Sequence, residues 1–193
     1  FVIFLFNNNL INNNINFLDD LTINLKNFIF PISIITIISL SNSVNLTDGL
    51  DGLAAGCSSI VFCGLGTEIL LNNNKTYLIF SLLSFCLSGL CLGFLKHNKY
   101  PAKIFMGDTG SLTIGAIIGI ICVVTNSFFT TFIISGIFVI EAVSVILQVS
   151  YFKITKKIFR QGKRLFLMTP IHHHFELQGI REEKIVEIFW LIN

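Results

Sequence analysis

Two aspartates, Asp48 and Asp51, stand three residues apart in the segment 45–54, which reads N-L-T-D-G-L-D-G-L-A. Carboxylates at this spacing can share one face of a helical turn, where they could bind a cation or accept hydrogen bonds from a ligand. Gly49 and Gly52 would let the backbone approach that ligand closely, because glycine has no side chain. The alternative is that one aspartate caps the next helix. Two acids beside two glycines favour the functional interpretation.

A further aspartate, Asp108, occurs in the segment 101–112, which reads P-A-K-I-F-M-G-D-T-G-S-L. Gly107 precedes it, and a helix is predicted to begin near Ser111. The carboxylate would therefore stand beside free backbone N–H groups that can hold phosphate, and it is itself a ligand suited to a hard cation. Phe105 adds an aromatic plate three residues away. Capping of the helix is an equally strong alternative for this segment taken alone.

Three consecutive histidines, His172, His173 and His174, lie in the segment 169–179, which reads T-P-I-H-H-H-F-E-L-Q-G. Neighbouring side chains point apart, so the three cannot all coordinate one ion. One or two of them could donate hydrogen bonds to a pyrophosphate or orient a base. The alternatives are a metal-scavenging surface tract and an expression tag, and the short internal run disfavours the tag.

The apolar stretches carry two more acids, Glu68 and Glu141. Glu68 is predicted near the outer end of its helix, where it can reach water. Glu141 falls within a helix, where a buried structural hydrogen bond and a functional role explain it equally well. The basic run from Lys153 to Arg164 has an alternative of its own, an interfacial anchor that meets anionic lipid.

Helices that lie in lipid must position these residues. The chain has 193 residues, of which 53% are hydrophobic and 12% are charged, whereas soluble domains carry about 25% charged residues. The apolar runs are too long for strands and lack a two-residue alternation. The sequence therefore predicts an all-α, polytopic transmembrane helix bundle forming a single integral membrane domain over 1–193. Its spans are predicted at 27–44, 53–71, 77–95, 111–126 and 128–149, with partial spans at 1–6 and 185–192.

Small residues within these spans suggest how the helices pack. Gly89 with Gly93, and Gly115 with Gly119, stand four residues apart, a spacing that suits close helix contact in a bilayer. Five cysteines fall in the same apolar stretches without any C-x-x-C pair. We interpret them as small apolar residues, not as a disulfide framework or a zinc site.

The basic residues are distributed unequally between the two sides of the predicted bundle. Counting spans places the connections 45–52, 96–110 and 150–184 on one face, which holds eleven lysines and arginines against two on the other. This asymmetry predicts that the shared face is cytoplasmic. The eleven are Lys96, Lys99, Lys103, Lys153, Lys156, Lys157, Arg160, Lys163, Arg164, Arg181 and Lys184, and the two are Lys26 and Lys75.

The three polar segments, with the helix 139–149 (V-I-E-A-V-S-V-I-L-Q-V), together resemble a known family. They are similar to the polyprenyl-phosphate N-acetylhexosamine-1-phosphate transferases of glycosyltransferase 4 type, and most of all to their phospho-N-acetylmuramoyl-pentapeptide-transferase branch. The motifs are long and correctly spaced, and the likeness extends from about Asn27 onward. The sequence I-H-H-H-F-E favours the muramoyl branch over relatives that transfer N-acetylglucosamine phosphate.

The resemblance implies an enzyme of ten transmembrane helices in the bacterial inner membrane, with a cytoplasmic active site and Mg²⁺ as cofactor. Its reaction moves phospho-N-acetylmuramoyl-pentapeptide from a UDP conjugate to undecaprenyl phosphate, giving UMP and the first lipid intermediate of peptidoglycan synthesis. By motif match, Asp108 is the implied magnesium ligand, Asn45 and Asp48 belong to the catalytic floor, and Asp51 recognises uracil near Gly49 and Leu50. Phe105 would stack on the base, Asn98 would lie close to the nucleoside, and His172, His173 and His174 would lie by the diphosphate.

The sequence departs from the family pattern in one motif, an upstream D-D-x-x-K. Asp19 and Asp20 do not supply it, because Ile23 stands where lysine is required and the pair precedes the helix 27–44. We expect that motif, with about four helices, to precede Phe1, and both ends of the chain look cut. The isolated chain is accordingly predicted to be inactive.

Three competing interpretations remain at this point. A sibling enzyme could use another UDP-N-acetylhexosamine, and a substrate swap would distinguish it. A transporter or channel would need polar residues at midplane depth, whereas here they cluster at one face. An inactive membrane remnant would lack the upstream motif altogether. Membrane lipid is an expected partner and a homodimer is allowed, whereas nucleic acid is not expected because the net charge is only +2.

Overall fold

The computed structural model describes Val2 and residues 14–18, 21–25, 28–72 and 74–193. Two antiparallel strands form a short hairpin ahead of a helical bundle. The strands are β1 (Asn14–Leu18) and β2 (Leu21–Asn24), and the helices are α1 (Ile29–Thr47), α2 (Leu53–Leu71), α3 (Leu78–Asn98), α4 (Gly107–Thr125), α5 (Phe128–Ile134), α6 (Gly136–Phe159), α7 (Ile171–Leu177) and α8 (Glu182–Ile192). A short 3₁₀ turn, Lys75–Tyr77, leads into α3.

Five of these helices are long and apolar enough to cross a membrane. The prediction of a polytopic membrane bundle is therefore confirmed. The spans are Ile29–Thr47, Leu53–Leu71, Lys75–Asn98, Gly107–Thr125 and Gly136–Phe159. The hairpin was not anticipated, although its first strand, N-I-N-F-L, has the two-residue alternation typical of a strand. The predicted stump 1–6 and the pair Asp19 and Asp20 lie outside the described residues.

The last predicted span differs from the structure at both ends. In place of one helix over 128–149, the short helix α5 ends at Ile134 and α6 begins after Ser135. Helix α6 then continues to Phe159, ten residues beyond the predicted end. Basic residues do not terminate a helix, and the first glycine after the predicted end is Gly162. The change from apolar to charged sequence therefore marks where the helix leaves the apolar part of the bundle, and not where the helix ends.

Small residues on α4 allow it to pack directly on α1. A Cβ atom added at Gly115 would lie 2.4 Å from the carbonyl oxygen of Leu40 in α1. One added at Gly119 would lie 2.8 Å from the Cα of Ile37, also in α1. The prediction of close packing is confirmed for this pair. Gly89 and Gly93 show no such packing among the described residues, because a Cβ at either would meet nothing within 4 Å there.

Helix α2 is the centre of the bundle. Two-thirds of its apolar window is buried (67%), more than in any other described span. It packs against α3 through Ser59 and Ser88, whose hydroxyls lie 3.0 Å apart, and against α8 through Gly56, over which the Trp190 ring lies. Because α8 is held on α2, the segment that connects α6 to α8, which includes α7, returns to the end of the bundle where α1 meets α2.

Candidate active site

A hydrogen bond between α1 and α4 begins the site. The side-chain amide of Asn45, in the last turn of α1, donates to Oδ1 of Asp108 at 2.9 Å and to Oγ of Ser111 at 3.0 Å. Asp108 lies in the first turn of α4, which begins at Gly107, four residues before the predicted start. The glycine packing of α4 on α1 brings these side chains together, because the helix axes approach closely there.

Asp48 follows α1 directly and faces the same carboxylate. Burial raises the pKa of Asp48 above its usual value, the negative charge of Asp108 raises it further, and a hydrogen bond from the backbone of Gly107 lowers it. Both ion pairs in the described part of the chain involve a histidine, and neither includes Asp48 or Asp108. Two neighbouring carboxylates without a cationic side chain are an arrangement that a bound cation would stabilise.

The second aspartate of the turn has different partners. Oδ2 of Asp51 accepts a hydrogen bond from the backbone N–H of Ala102 at 2.8 Å. The backbone N–H of Asp51 donates to Oε1 of Glu182, in α8, at 2.7 Å. The expectation that Asp48 and Asp51 share one face is therefore wrong: this turn is not a continuous helix, and Asp51 instead ties the 48–52 turn to the 99–106 loop and to α8.

The 99–106 loop presents an exposed aromatic ring on a fixed backbone. Asn98 is only 3% exposed, and its side-chain amide donates to the carbonyl oxygen of Ile104 at 2.9 Å. Phe105, which follows Ile104 in the sequence, is 74% exposed. Asn98 thus holds the base of the loop, and the ring of Phe105 is accessible to a planar ligand. Leu50, in contrast, is buried in the main core.

The three histidines have three different environments. His172 is fully buried, and its Nδ1 lies 3.0 Å from Oε1 of Glu141, which is also fully buried. His173 lies nearer the surface, with Nδ1 2.8 Å from Oε2 of Glu176. His174 turns away: its Nδ1 accepts from the backbone N–H of Leu167 at 3.1 Å. The prediction that all three side chains point apart is therefore wrong for one pair: His174 diverges, whereas the rings of His172 and His173 lie side by side with their centroids 4.2 Å apart.

Gly49 is the point where the aspartate turn meets the histidine helix. A Cβ atom at this position would lie 2.3 Å from Nε2 of His172 and 3.3 Å from Nε2 of His173. The absence of a side chain is therefore what allows α7 to approach the turn. Through Asp48, Gly49 connects the histidines to Asp108, so the three segments singled out in the sequence lie at one end of the bundle.

None of the three aspartates caps the helix that follows it in sequence, although Asp48 accepts a hydrogen bond from the backbone of Gly107, the first residue of α4. Helix α2 begins after Gly52 and α4 begins after Met106, and neither start has a side-chain cap hydrogen bond. Within the described ranges, no group of three His, Cys, Asp or Glu side chains could hold a metal ion without other ligands. Asp48 and Asp108 could still contribute to a Mg²⁺ site, because this ion commonly binds one or two carboxylates together with water and substrate phosphates.

A family model described as glycosyl transferase family 4 matches residues 1–126. The chain belongs to glycosyl transferase family 4. It is 65% identical over its whole length to the phospho-N-acetylmuramoyl-pentapeptide-transferase of Prochlorococcus marinus subsp. pastoris (strain CCMP1986 / NIES-2087 / MED4), covering 54% of that relative. It is 64% identical over its whole length to the enzyme of the same name from Prochlorococcus marinus (strain MIT 9515), covering 53% of it.

A more distant glycosyl transferase family 4 relative gives the same result. The phospho-N-acetylmuramoyl-pentapeptide-transferase of Synechococcus sp. (strain WH7803) is 45% identical over 86% of this chain, which covers 45% of that protein. The chain thus spans about half the length of the curated relatives that it matches. The family resemblance identified from the motifs is confirmed.

Two carboxylates in this glycosyl transferase family 4 chain were not assigned to the site from sequence. Glu141 gave a signal, an acid within an apolar helix, but its partner His172 is 31 residues away and could not be identified. Glu182 gave none, because an acid in the first turn of a helix is ordinary. Glu141 contacts the histidine segment and Glu182 contacts the aspartate turn. Only the three-dimensional structure shows these contacts, so the sequence could not assign either acid to the site.

Proposed function

We propose that the full-length protein transfers phospho-N-acetylmuramoyl-pentapeptide from its UDP conjugate to undecaprenyl phosphate, releasing UMP. The observation that carries this proposal is the junction of Asn45, Asp48 and Asp108 with the histidine helix at Gly49. The names of the relatives support the transferred group, the family resemblance implies the UDP donor and the lipid acceptor, and the geometry offers a place where carboxylates, histidines and an exposed ring could act together.

The reaction needs one phosphorus centre to exchange oxygen partners. An oxygen of the lipid phosphate forms a bond to the sugar-bearing phosphorus, and the bond from that phosphorus to the oxygen of the UMP phosphate breaks. UMP leaves with that electron pair. Little covalent chemistry falls to the protein, so its residues must bind, align and neutralise charge.

Asp108 and Asp48 are the residues that would hold Mg²⁺. They fit the ion because they are hard oxygen ligands, lie near each other, and lack a lysine or arginine partner among the described residues. Asn45 donates to one oxygen of Asp108 and so fixes the orientation of that carboxylate. When bound, the ion would neutralise charge on the diphosphate.

The uridine part is assigned to the 99–106 loop. Phe105 would stack on the uracil ring. Asn98 would hold Phe105 in place through its hydrogen bond to the carbonyl oxygen of Ile104. Asp51 already accepts from Ala102 through Oδ2, so we assign its other oxygen to the uracil N–H. A uridine nucleotide bound here would have its base next to the 48–52 turn and its phosphates toward Asp108.

His173 is the histidine that we assign to the diphosphate. Its Nδ1 is paired with Glu176, its side chain is 26% exposed, and its Nε2 is directed at the Gly49 turn. His172 is buried and His174 is bonded to the backbone of Leu167, so neither presents a ring nitrogen as openly. Glu176 would hold His173 in the orientation in which Nε2 meets a phosphate oxygen.

The site would face the cytoplasm of a bacterial inner membrane. The multi-pass membrane character is given by the five apolar helices. We infer the sidedness from the eleven basic residues on the connections at the site end against two on the other face. Soluble UDP-linked substrates and the lipid phosphate could meet only at such a boundary between water and lipid.

The test is a reconstituted assay of the full-length protein with radiolabelled donors. We expect Mg²⁺-dependent formation of a lipid-linked product and UMP from undecaprenyl phosphate and UDP-N-acetylmuramoyl-pentapeptide. UDP-N-acetylglucosamine should give at most trace product. Preferential use of that donor would identify a sibling enzyme, and no product from either donor would contradict the proposal.

A further inference from the structure

Glu141 and His172 form a buried pair between a membrane-spanning helix and the histidine helix. Both side chains are 0% exposed, and Oε1 of Glu141 lies 3.0 Å from Nδ1 of His172. The other oxygen, Oε2, accepts from the backbone N–H of Ile171 at 2.8 Å. A carboxylate in such a helix costs free energy that apolar packing would not, so its presence calls for a role beyond stability.

We infer that Glu141 is a positioning residue that fixes the orientation of His172 and, through it, the Gly49 turn and His173. This inference rests on the proposed function, because it concerns the geometry of the same site. Within the described part of the chain, the carboxylate of Glu141 bonds to Ile171 and His172 and makes no hydrogen bond to the turn. It acts by holding the first two residues of α7 at once, which sets both where the helix begins and how the first histidine ring is rotated.

The hydrogen bonding determines which ring nitrogen of His172 carries a proton. The N–H of Ile171 is a donor, so one carboxylate oxygen is already committed. We assign the second oxygen, 3.0 Å from Nδ1 of His172, as the acceptor for Nδ1–H, because an ionised carboxylate has no proton to donate. Nε2 of a neutral ring is then without a proton, and in the structure this buried atom has no hydrogen-bond partner. Glu141 therefore selects one tautomer, as carboxylates do behind functional histidines.

The position of His172 is passed on by direct contact. Its Nε2 packs on Gly49, where a Cβ atom would lie 2.3 Å away, so a rotated ring would push on the turn that carries Asp48. Its ring also lies against His173, with the ring centroids 4.2 Å apart. If the carboxylate were lost, the Gly49 turn and His173 would be less well fixed, although neither is among the hydrogen-bond partners of the Glu141 carboxylate.

The experiment compares Glu141→Gln with Glu68→Gln in the full-length protein, reconstituted and assayed for transfer. Glu68 is a matched control because it too lies in an apolar span and accepts two side-chain hydrogen bonds, from Asn72 and Ser127. Glutamine has one acceptor oxygen, so it cannot accept from the N–H of Ile171 and from Nδ1–H of His172 through separate oxygens, as the carboxylate does. We expect kcat to fall about tenfold to 100-fold for Glu141→Gln, with KM for the uridine nucleotide little changed, and near wild-type kinetics for Glu68→Gln.

Two further variants separate positioning from a merely structural role. Glu141→Asp keeps both acceptor oxygens and should recover part of the rate. In a His172→Gln background, Glu141→Gln should have little additional effect on kcat, because the group through which it acts is gone. Histidine ¹⁵N NMR should show the Nδ1–H form of His172 in the wild type and its loss in Glu141→Gln.

The outcomes distinguish the two proposals. A wild type that transfers normally beside a Glu141→Gln variant of equal kcat would overturn the positioning role alone. An equal loss of kcat from Glu141→Gln with and without His172 would also overturn it, because the effect would then not pass through that ring. A wild type without transfer activity would overturn the proposed function, whereas the ¹⁵N spectrum would still report whether Glu141 selects the tautomer of His172.

Discussion

Asn45 and Asp108 are 63 residues apart in the chain, yet the amide of one donates to the carboxylate of the other at 2.9 Å. Two helices must be in register for this contact to form, and glycine packing between α1 and α4 supplies the close approach. The contact connects the first polar segment to the second. Four predictions follow from it and from the contacts around it.

The first concerns Asp108, the residue assigned to Mg²⁺. Asp108→Asn in the full-length protein should lower Mg²⁺-dependent transfer at least about 100-fold, the loss typical of removing one preorganised electrostatic group. Membrane insertion and thermal stability should persist, because the amide keeps a hydrogen-bonding oxygen for Asn45. Transfer kinetics and fractionation measure the two effects, with Glu183→Gln, an exposed acid in α8, as control. Wild-type turnover would remove Asp108 from the site.

The second concerns the room at Gly49. Gly49→Ala should displace His172, because the added Cβ would lie 2.3 Å from its Nε2. Overpacking of this kind costs about 1–3 kcal/mol, and transfer should fall more than about tenfold as the turn shifts. Gly89→Ala is the matched control, since a Cβ there meets nothing within 4 Å. Equal melting temperatures and rates for both variants would refute the steric argument.

The third is a pH dependence at Asp48. Burial and the charge of Asp108 raise the pKa of Asp48 in the folded protein above 3.8. The folded state therefore binds this proton more tightly than the unfolded state does. The free energy of unfolding of the wild type accordingly falls as the pH rises through the raised pKa. Without divalent cations, Asp48→Asn should be more stable than the wild type at pH 7, and the gain should disappear below about pH 3.8.

Thermal unfolding in detergent with a chelator measures this difference. Added Mg²⁺ should stabilise the wild type more than Asp48→Asn, because the variant has lost one of the two carboxylates. A variant that is less stable than the wild type at pH 7 without Mg²⁺ would show that burial and the charge of Asp108 do not together disfavour the ionised form of Asp48.

The fourth concerns the support of the turn by α8. Glu182→Ala removes the acceptor for the backbone N–H of Asp51 and should cost about 1–3 kcal/mol, as when a hydrogen bond to a charged group is lost. It should also raise KM for the uridine nucleotide, because Asp51 holds Ala102 in the adjoining loop. Glu183→Ala, on the exposed side of the same turn, should change neither. Identical melting curves and KM values for the two variants would exclude this support.

The sequence alone determined the class of fold and the residues of interest. Long apolar runs dictate helices in lipid, since an unpaired backbone cannot remain there, and the distribution of lysine and arginine indicates the orientation. Motif spacing identified the aspartate, phenylalanine and histidine positions. Helix ends were less well predicted: α6 continued to Phe159 through basic residues that a helix tolerates, and α4 began at Gly107.

Tertiary structure decided which of these residues meet, because a one-dimensional pattern does not record how helices rotate against each other. It directed Asp48 toward Asp108 and Asp51 toward Ala102, although the two acids are three residues apart. It separated three adjacent histidines into three environments and paired the buried one with Glu141. Local sequence gave the chemistry available, and packing around Gly49 decided which groups could act together.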